Sequence, residues 1–191
     1  MADFRVTVFG GSSPKPGEAA YTQALQLGKL LGEAGCIVLT GGYVGTMEAV
    51  SRGANEAGAH VIGITCEQIE DWRPVKLNPW VQEEIRYKTL RQRLFALIDG
   101  CDAALVLPGG IGTLTEIIFF WDELAIKASR RRPLIAIGSE WKTILDTFCD
   151  LMSSYIPDQI PGMITYAPDV KTAFSLLRQD PNWPATSNRN Q

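Results

Sequence analysis

The chain has little of what metal centres, disulfide scaffolds and nucleic-acid binders are built from. Its single histidine, His60, stands at the start of an apolar run and is too isolated to support catalysis or to hold a metal. The four cysteines, Cys36, Cys66, Cys101 and Cys149, are far apart and form no Cys-x-x-Cys pair. That spacing suggests neither a zinc knuckle nor a disulfide framework, and reduced, mostly buried thiols are expected. There is no excess of positive charge: the net charge is −3. Wrapping nucleic acid by counterion release needs a cationic face, so no nucleic-acid partner is expected. No apolar run reaches the roughly 18 residues that suggest a membrane span. The first residues enter a strand pattern without the basic region and apolar stretch of a signal peptide, so a cytoplasmic location is expected.

What is present is an ordinary globular composition, 46% hydrophobic and 20% charged, on a length sufficient for one core. Short runs rich in Val, Ile and Leu recur at residues 4–9, 36–40, 60–65, 103–107 and 134–137. Segments of helical period lie between them, at 18–34, 46–57, 89–99, 113–126 and 141–152. This alternation predicts a doubly wound, Rossmann-like α/β domain with a parallel sheet between two helical layers. One domain is expected over residues 1–179, closed by a short strand near 163–166 and a helix over 170–177. Residues 180–191 are polar and proline-containing and read as a flexible tail. Residues 67–87 break the pattern with Trp72, Pro74, Pro79 and Trp80 and read as a flap or an interface segment.

Three strands run into small-residue turns: Gly10-Gly11-Ser12-Ser13, Gly41-Gly42-Tyr43-Val44-Gly45-Thr46 and Pro108-Gly109-Gly110-Ile111-Gly112-Thr113. In a parallel sheet these turns share one edge, and the first and third flank the topological switch point, where a crevice opens. Glycines let backbone N–H groups approach an anion, and the helix after the third turn directs its positive end the same way. Gly10, Ser12, Ser13, Gly42, Gly109, Gly110, Gly112 and Thr113 are therefore the candidate phosphate-binding residues. Familiar nucleotide signatures are missing, for there is no Gly-x-Gly-x-x-Gly, no acidic residue ending the second strand and no Gly-Lys-Ser/Thr.

Glu116 lies one helical turn after Thr113, where its carboxylate faces the crevice or, as the fourth member of a Thr-Leu-Thr-Glu capping box, satisfies the helix start. Arg93 flanks the apolar stripe of Leu90, Leu94, Leu97 and Ile98, as a structural arginine or as a ligand for an anion. Spacing leaves both pairs of roles open. Lys127, Arg130, Arg131 and Arg132 fall where a helix ends and read as structural. Phe119, Phe120 and Trp121 read as core or dimer contacts.

Pro108-Gly109-Gly110-Ile111-Gly112-Thr113-Leu114-Thr115-Glu116 resembles the Pro-Gly-Gly-x-Gly-Thr-x-x-Glu signature of the Lonely guy family of cytokinin-activating phosphoribohydrolases. Similarity extends from Phe9-Gly10-Gly11-Ser12-Ser13 through Gly45-Thr46-Met47-Glu48-Ala49-Val50 to about Leu151. The resemblance implies hydrolysis of a nucleoside 5′-monophosphate, cytokinin-like or AMP-like, to free base and ribose 5-phosphate. It implies Arg93 and Glu116 as catalytic residues, no metal or cofactor, and a homodimer with active sites near its interface. The second turn, Gly41 to Gly45, is similar to one in molybdenum-cofactor carrier proteins of related fold, which implies a binding protein as the alternative. A pyridoxal-phosphate enzyme is not expected, because the turns hold no lysine and only Lys15 follows just beyond the first.

Overall fold

The computed structural model describes residues 4–184. Its seven strands are β1 (Arg5–Phe9), β2 (Ile37–Thr40), β3 (Val61–Cys66), β4 (Glu83–Tyr87), β5 (Ala103–Val106), β6 (Leu134–Ile137) and β7 (Thr165–Ala167). They form one sheet in the order β4-β3-β2-β1-β5-β6-β7, with every neighbouring pair parallel. The helices are α1 (Ala19–Glu33), α2 (Thr46–Glu56), α3 (Glu67–Trp72), α4 (Leu90–Asp99), α5 (Ile111–Ala125), α6 (Ser139–Leu151) and α7 (Val170–Leu177).

Alternation along the central strands explains the three layers. Val6 and Val8 of β1 face one apolar cluster, with Leu27 and Leu31 of α1 and Ala173 and Leu177 of α7. Phe9 faces the opposite cluster, which gathers Leu97, Ile117, Phe120, Trp121 and Trp141 from α4, α5 and α6. Strands buried on both faces must be apolar almost throughout, which is why β5 and β6 are continuous Val/Ile/Leu/Ala runs and β1 is apolar but for the exposed Arg5 and the buried Thr7. Strands are added outward in one direction from β1 and in the other from β5, so α1 and α5 pack on opposite faces of the sheet and a crevice forms at their starts. The expected Rossmann-like architecture is thus present.

Two expectations change. Residues 67–87 are more than a flap: α3 and the edge strand β4 lie within them, and β4 pairs with β3 from Glu83 to Tyr87. Charged side chains on an edge strand discourage pairing with other chains, and they also erase the apolar signal by which strands are read. The segment expected to fray from Asp180 holds an anchor, because Trp183 packs against Phe4 and Phe174 at ring-centroid distances of 5.1 and 6.0 Å. Residues 185–191 of that segment lie outside the described residues.

The four cysteines are free. Among the described residues no helix is long and apolar enough to cross a membrane. The basic run after α5 has a structural member in Arg132, which is buried and donates to Glu123 at 2.9 Å and to the Ile98 carbonyl.

Candidate functional site

The three glycine turns meet. Gly11 N–H donates to the Pro108 carbonyl at 3.1 Å, fastening the first turn to the third. Thr46 donates to the Gly11 carbonyl through its N–H at 2.9 Å and its hydroxyl at 3.0 Å, fastening the second turn to the first. A Cβ at Gly109 would overlap the Thr113 hydroxyl and come within 2.9 Å of Gly11 N, so only glycine permits this closeness.

Helix α5 begins at Ile111 with Gly110 as its N-cap, two residues earlier than the sequence pattern suggests, and no side chain caps it. This placement removes the capping-box alternative for Glu116. Thr113 is already the third helical residue, so Glu116 stands a full turn inside the helix. The capping box forms instead at α4, where the Thr89 hydroxyl accepts from Gln92 N–H and the Gln92 side chain accepts from Thr89 N–H. The first-turn N–H groups of α5 therefore remain available at an end where the dipole favours an anion. Gly109, Gly110 and Gly112 are exposed there, while Thr113 is buried.

Behind this helix start lies a buried pair. Arg93 Nη1 is 3.8 Å from Glu116 Oε1, with only 7% and 13% of the two side chains exposed. Arg93 Nε donates to the Ile64 carbonyl at 2.8 Å and Nη2 to the Gly41 carbonyl at 3.3 Å. A Cβ at Gly41 would overlap that guanidinium, so the second turn supplies a socket for Arg93. Burial pushes the Glu116 carboxyl from 4.5 up to about 7, with the Arg93 cation opposing but not cancelling the shift. A carboxyl so poised can exchange a proton near neutrality.

Not every candidate from the sequence opens onto the crevice. Gly10 and Ser12 are half-buried and Ser13 is exposed, on the turn that Gly11 fastens to the third. Gly42 is turned away: it is buried, its N–H donates to Thr40 Oγ1, and its carbonyl accepts from Asn78 N–H and Nδ2. Its polar groups are thus spent on structure. One residue that sequence reasoning passed over does reach the site. Arg73, just past α3, donates from Nη1 to Ser12 Oγ at 3.4 Å. Its sequence surroundings, Trp72-Arg73-Pro74, carry no periodic signal that would have singled it out. Among the described residues no cluster of three or more His, Cys, Asp or Glu could hold a metal ion.

These features define a doubly wound α/β protein with an anion-ready helix start at its switch point and a buried carboxyl–guanidinium pair behind it. The chain belongs to the SLOG cluster4 family, whose model matches residues 3–152. It is 36% identical over 183 residues to the cytokinin riboside 5′-monophosphate phosphoribohydrolase LOG of Oryza sativa subsp. japonica, covering 92% of this chain and 73% of that protein. It is 37% identical over 126 residues to the protein named "Probable cytokinin riboside 5′-monophosphate phosphoribohydrolase LOGL5" of the same organism, covering 64% of this chain and half of that protein's length. In fold it is similar to the molybdenum cofactor binding protein of the phototrophic bacterium Rippkaea orientalis, with a TM-score of 0.73, 22% identity, and 93% and 97% of the two chains covered. The resemblance to the Lonely guy family is thereby borne out.

Proposed function

We propose that this protein hydrolyses the N-glycosidic bond of a nucleoside 5′-monophosphate, AMP-like or cytokinin-riboside-like, to free base and ribose 5-phosphate. The observation that carries this reading is the Glu116 carboxyl, raised to about 7 and held beside Arg93 one turn behind the uncapped start of α5. The names of the 36% and 37% identical relatives support it.

In this mechanism the phosphate rests on the N–H groups of Gly110, Gly112 and Thr113, with Gly10, Ser12 and Ser13 across the crevice and Gly109 keeping the turns close. The ribose then lies over Glu116. As the bond from C1′ to the base nitrogen breaks, its electron pair stays with the base and positive charge grows on the sugar. The ionised Glu116 stabilises that charge and takes a proton from the water whose oxygen bonds to C1′, the departing base takes up one proton from solvent, and Glu116 returns its own to solvent to regain its charge. Two of the three Arg93 nitrogens are committed to backbone carbonyls and the third faces Glu116, so Arg93 acts as a positioning residue for the carboxylate. No step calls on a metal or cofactor.

The protein works as a homodimer. Helix α5 exposes Ile111 and Ile118, which with Phe119, Phe148, Ile156 and Ile160 line an apolar groove of about 580 Å³ beside the catalytic helix. Contiguous exposed apolar surface of this kind marks an interaction face.

A second reading keeps the pocket and removes the chemistry: a carrier of a phosphorylated cofactor such as the molybdenum cofactor. The fold shared with the Rippkaea orientalis protein favours it. Incubation with AMP separates the two, since a carrier returns the nucleotide intact and the hydrolase releases adenine.

A further inference from the structure

In the proposed chemistry only uncharged groups hold the phosphate dianion, with Arg93 buried behind and committed elsewhere. Segment 67–87, which the proposed chemistry does not use, brings a second guanidinium to the same edge. Arg73 follows α3, and α3 is pinned to the second glycine turn. The Tyr43 hydroxyl donates to Glu70 Oε1 at 3.2 Å and accepts from Cys66 N–H at 2.8 Å. Arg86 of β4 holds the other Glu70 oxygen at 2.6 Å. At the end of this brace the Arg73 N–H donates to the Ile69 carbonyl, and the Arg73 carbonyl accepts from Val75 N–H at 2.7 Å. The backbone that carries the guanidinium is thus fixed at both sides.

The guanidinium itself is underused. Among the described residues no carboxylate lies within ion-pair distance of it, unlike Arg52, Arg86, Arg93, Arg130 and Arg132. Its one side-chain bond is the 3.4 Å contact to Ser12 Oγ, and its Nε is buried without an acceptor. Trp72, 78% exposed, lies under it with Cζ 5.6 Å from the ring centroid. A buried N–H left without an acceptor costs free energy, and an arginine fork matches phosphate oxygens better than any other side chain. The first turn, on which this fork rests, is bonded to the third turn through Gly11 and Pro108.

We infer that Arg73 is a phosphate-binding residue of the site and makes it select 5′-phosphorylated nucleotides over nucleosides. The inference rests on the proposed nucleotide reading and names the side chain that recognises the dianion. Segment 67–87 then sets specificity, carrying a cation across from the helix start of α5.

The test uses the full chain, its Arg73→Gln variant and its Arg73→Lys variant. AMP, ribose 5-phosphate and adenosine are titrated by calorimetry, and adenine release from AMP is followed by chromatography. A charge-assisted hydrogen bond lost from a phosphate weakens binding about 10- to 100-fold. Arg73→Gln is expected to weaken AMP and ribose 5-phosphate by that factor and to raise KM alike. It should leave kcat and adenosine binding within about threefold, with Arg73→Lys intermediate. A merely structural arginine would shift adenosine and AMP together, and that result overturns the inference, as does unchanged AMP affinity in Arg73→Gln. Wild-type protein that binds AMP but releases no adenine overturns the hydrolase reading alone, because the Arg73 dependence is still read from binding. Wild-type protein that binds no phosphorylated ligand overturns both.

Discussion

Arg93 Nη1 faces Glu116 Oε1 at 3.8 Å across a space where both side chains are almost wholly buried, yet burial still pushes the Glu116 carboxyl up to about 7. The cation does not bring its neighbour back to the ordinary carboxyl range, so burial costs the carboxylate more than the pair returns. A site that tolerates this cost at the base of an anion-ready helix start is suited to proton transfer rather than to stability.

Replacing Glu116 with Gln keeps the shape and removes the charge. Base release from AMP should fall by at least about 100-fold in kcat, the range lost with a general base or an electrostatic stabiliser. AMP affinity, measured by calorimetry, should stay within about threefold, since the phosphate is held by groups in the turns.

The same substitution should stabilise the fold above neutrality. Glu116 has a folded pKa of about 7 against 4.5 for the ordinary carboxyl, so its contribution is fully present below pH 4.5 and is lost as pH rises through 7. Glu116→Gln should therefore melt higher than the wild type at pH 8, by roughly 1–3 kcal/mol, and show little difference near pH 4. Thermal melts at the two pH values decide this. In kinetics the sign is the opposite one: kcat/KM should rise with pH through about 7 as Glu116 ionises, and lose that rise in the variant.

Arg93→Lys should not rescue the arginine. One ammonium cannot reach the Ile64 carbonyl, the Gly41 carbonyl and Glu116 together in the geometry of the guanidinium fork. Loss of most turnover is expected, with a stability loss on the order of 3–5 kcal/mol for Arg93→Ala, which strands a buried carboxyl and two carbonyls. Urea titration and adenine release measure the two effects separately.

Glycines of the third turn should divide into two kinds. A Cβ at Gly110 or Gly112 meets nothing within 4 Å, so Ala there should leave the melting temperature nearly unchanged while raising KM for AMP, because the methyl enters the space proposed for the phosphate. Gly109→Ala must push apart the Thr113 hydroxyl and Gly11, and should destabilise by about 1–3 kcal/mol.

Much of this is legible in the sequence. Buried parallel strands must be apolar on both faces, so β1, β5 and β6 stand out as runs, and glycine turns after three of the strands mark the working edge of the sheet. Strand β4 did not stand out, because Glu83-Glu84-Ile85-Arg86-Tyr87 lies at an edge where Glu83, Glu84 and Arg86 pair with His60, Thr65 and Glu70. The Thr113 to Glu116 spacing matched a capping box, but tertiary packing starts α5 at Ile111 and leaves Glu116 inside the helix. Arg73 was silent since an irregular segment has no period, and only the fold brings it to Ser12. Gly42 shows the converse: a glycine in a promising turn whose polar groups the fold turns toward Thr40 and Asn78.

The most direct measurement is chromatography of AMP incubated with the wild-type protein and, in parallel, with Glu116→Gln. The account predicts adenine and ribose 5-phosphate in equal amounts from the wild type and intact AMP from the variant. Intact AMP from a wild-type protein that binds it, or equal adenine from both proteins, would contradict the account.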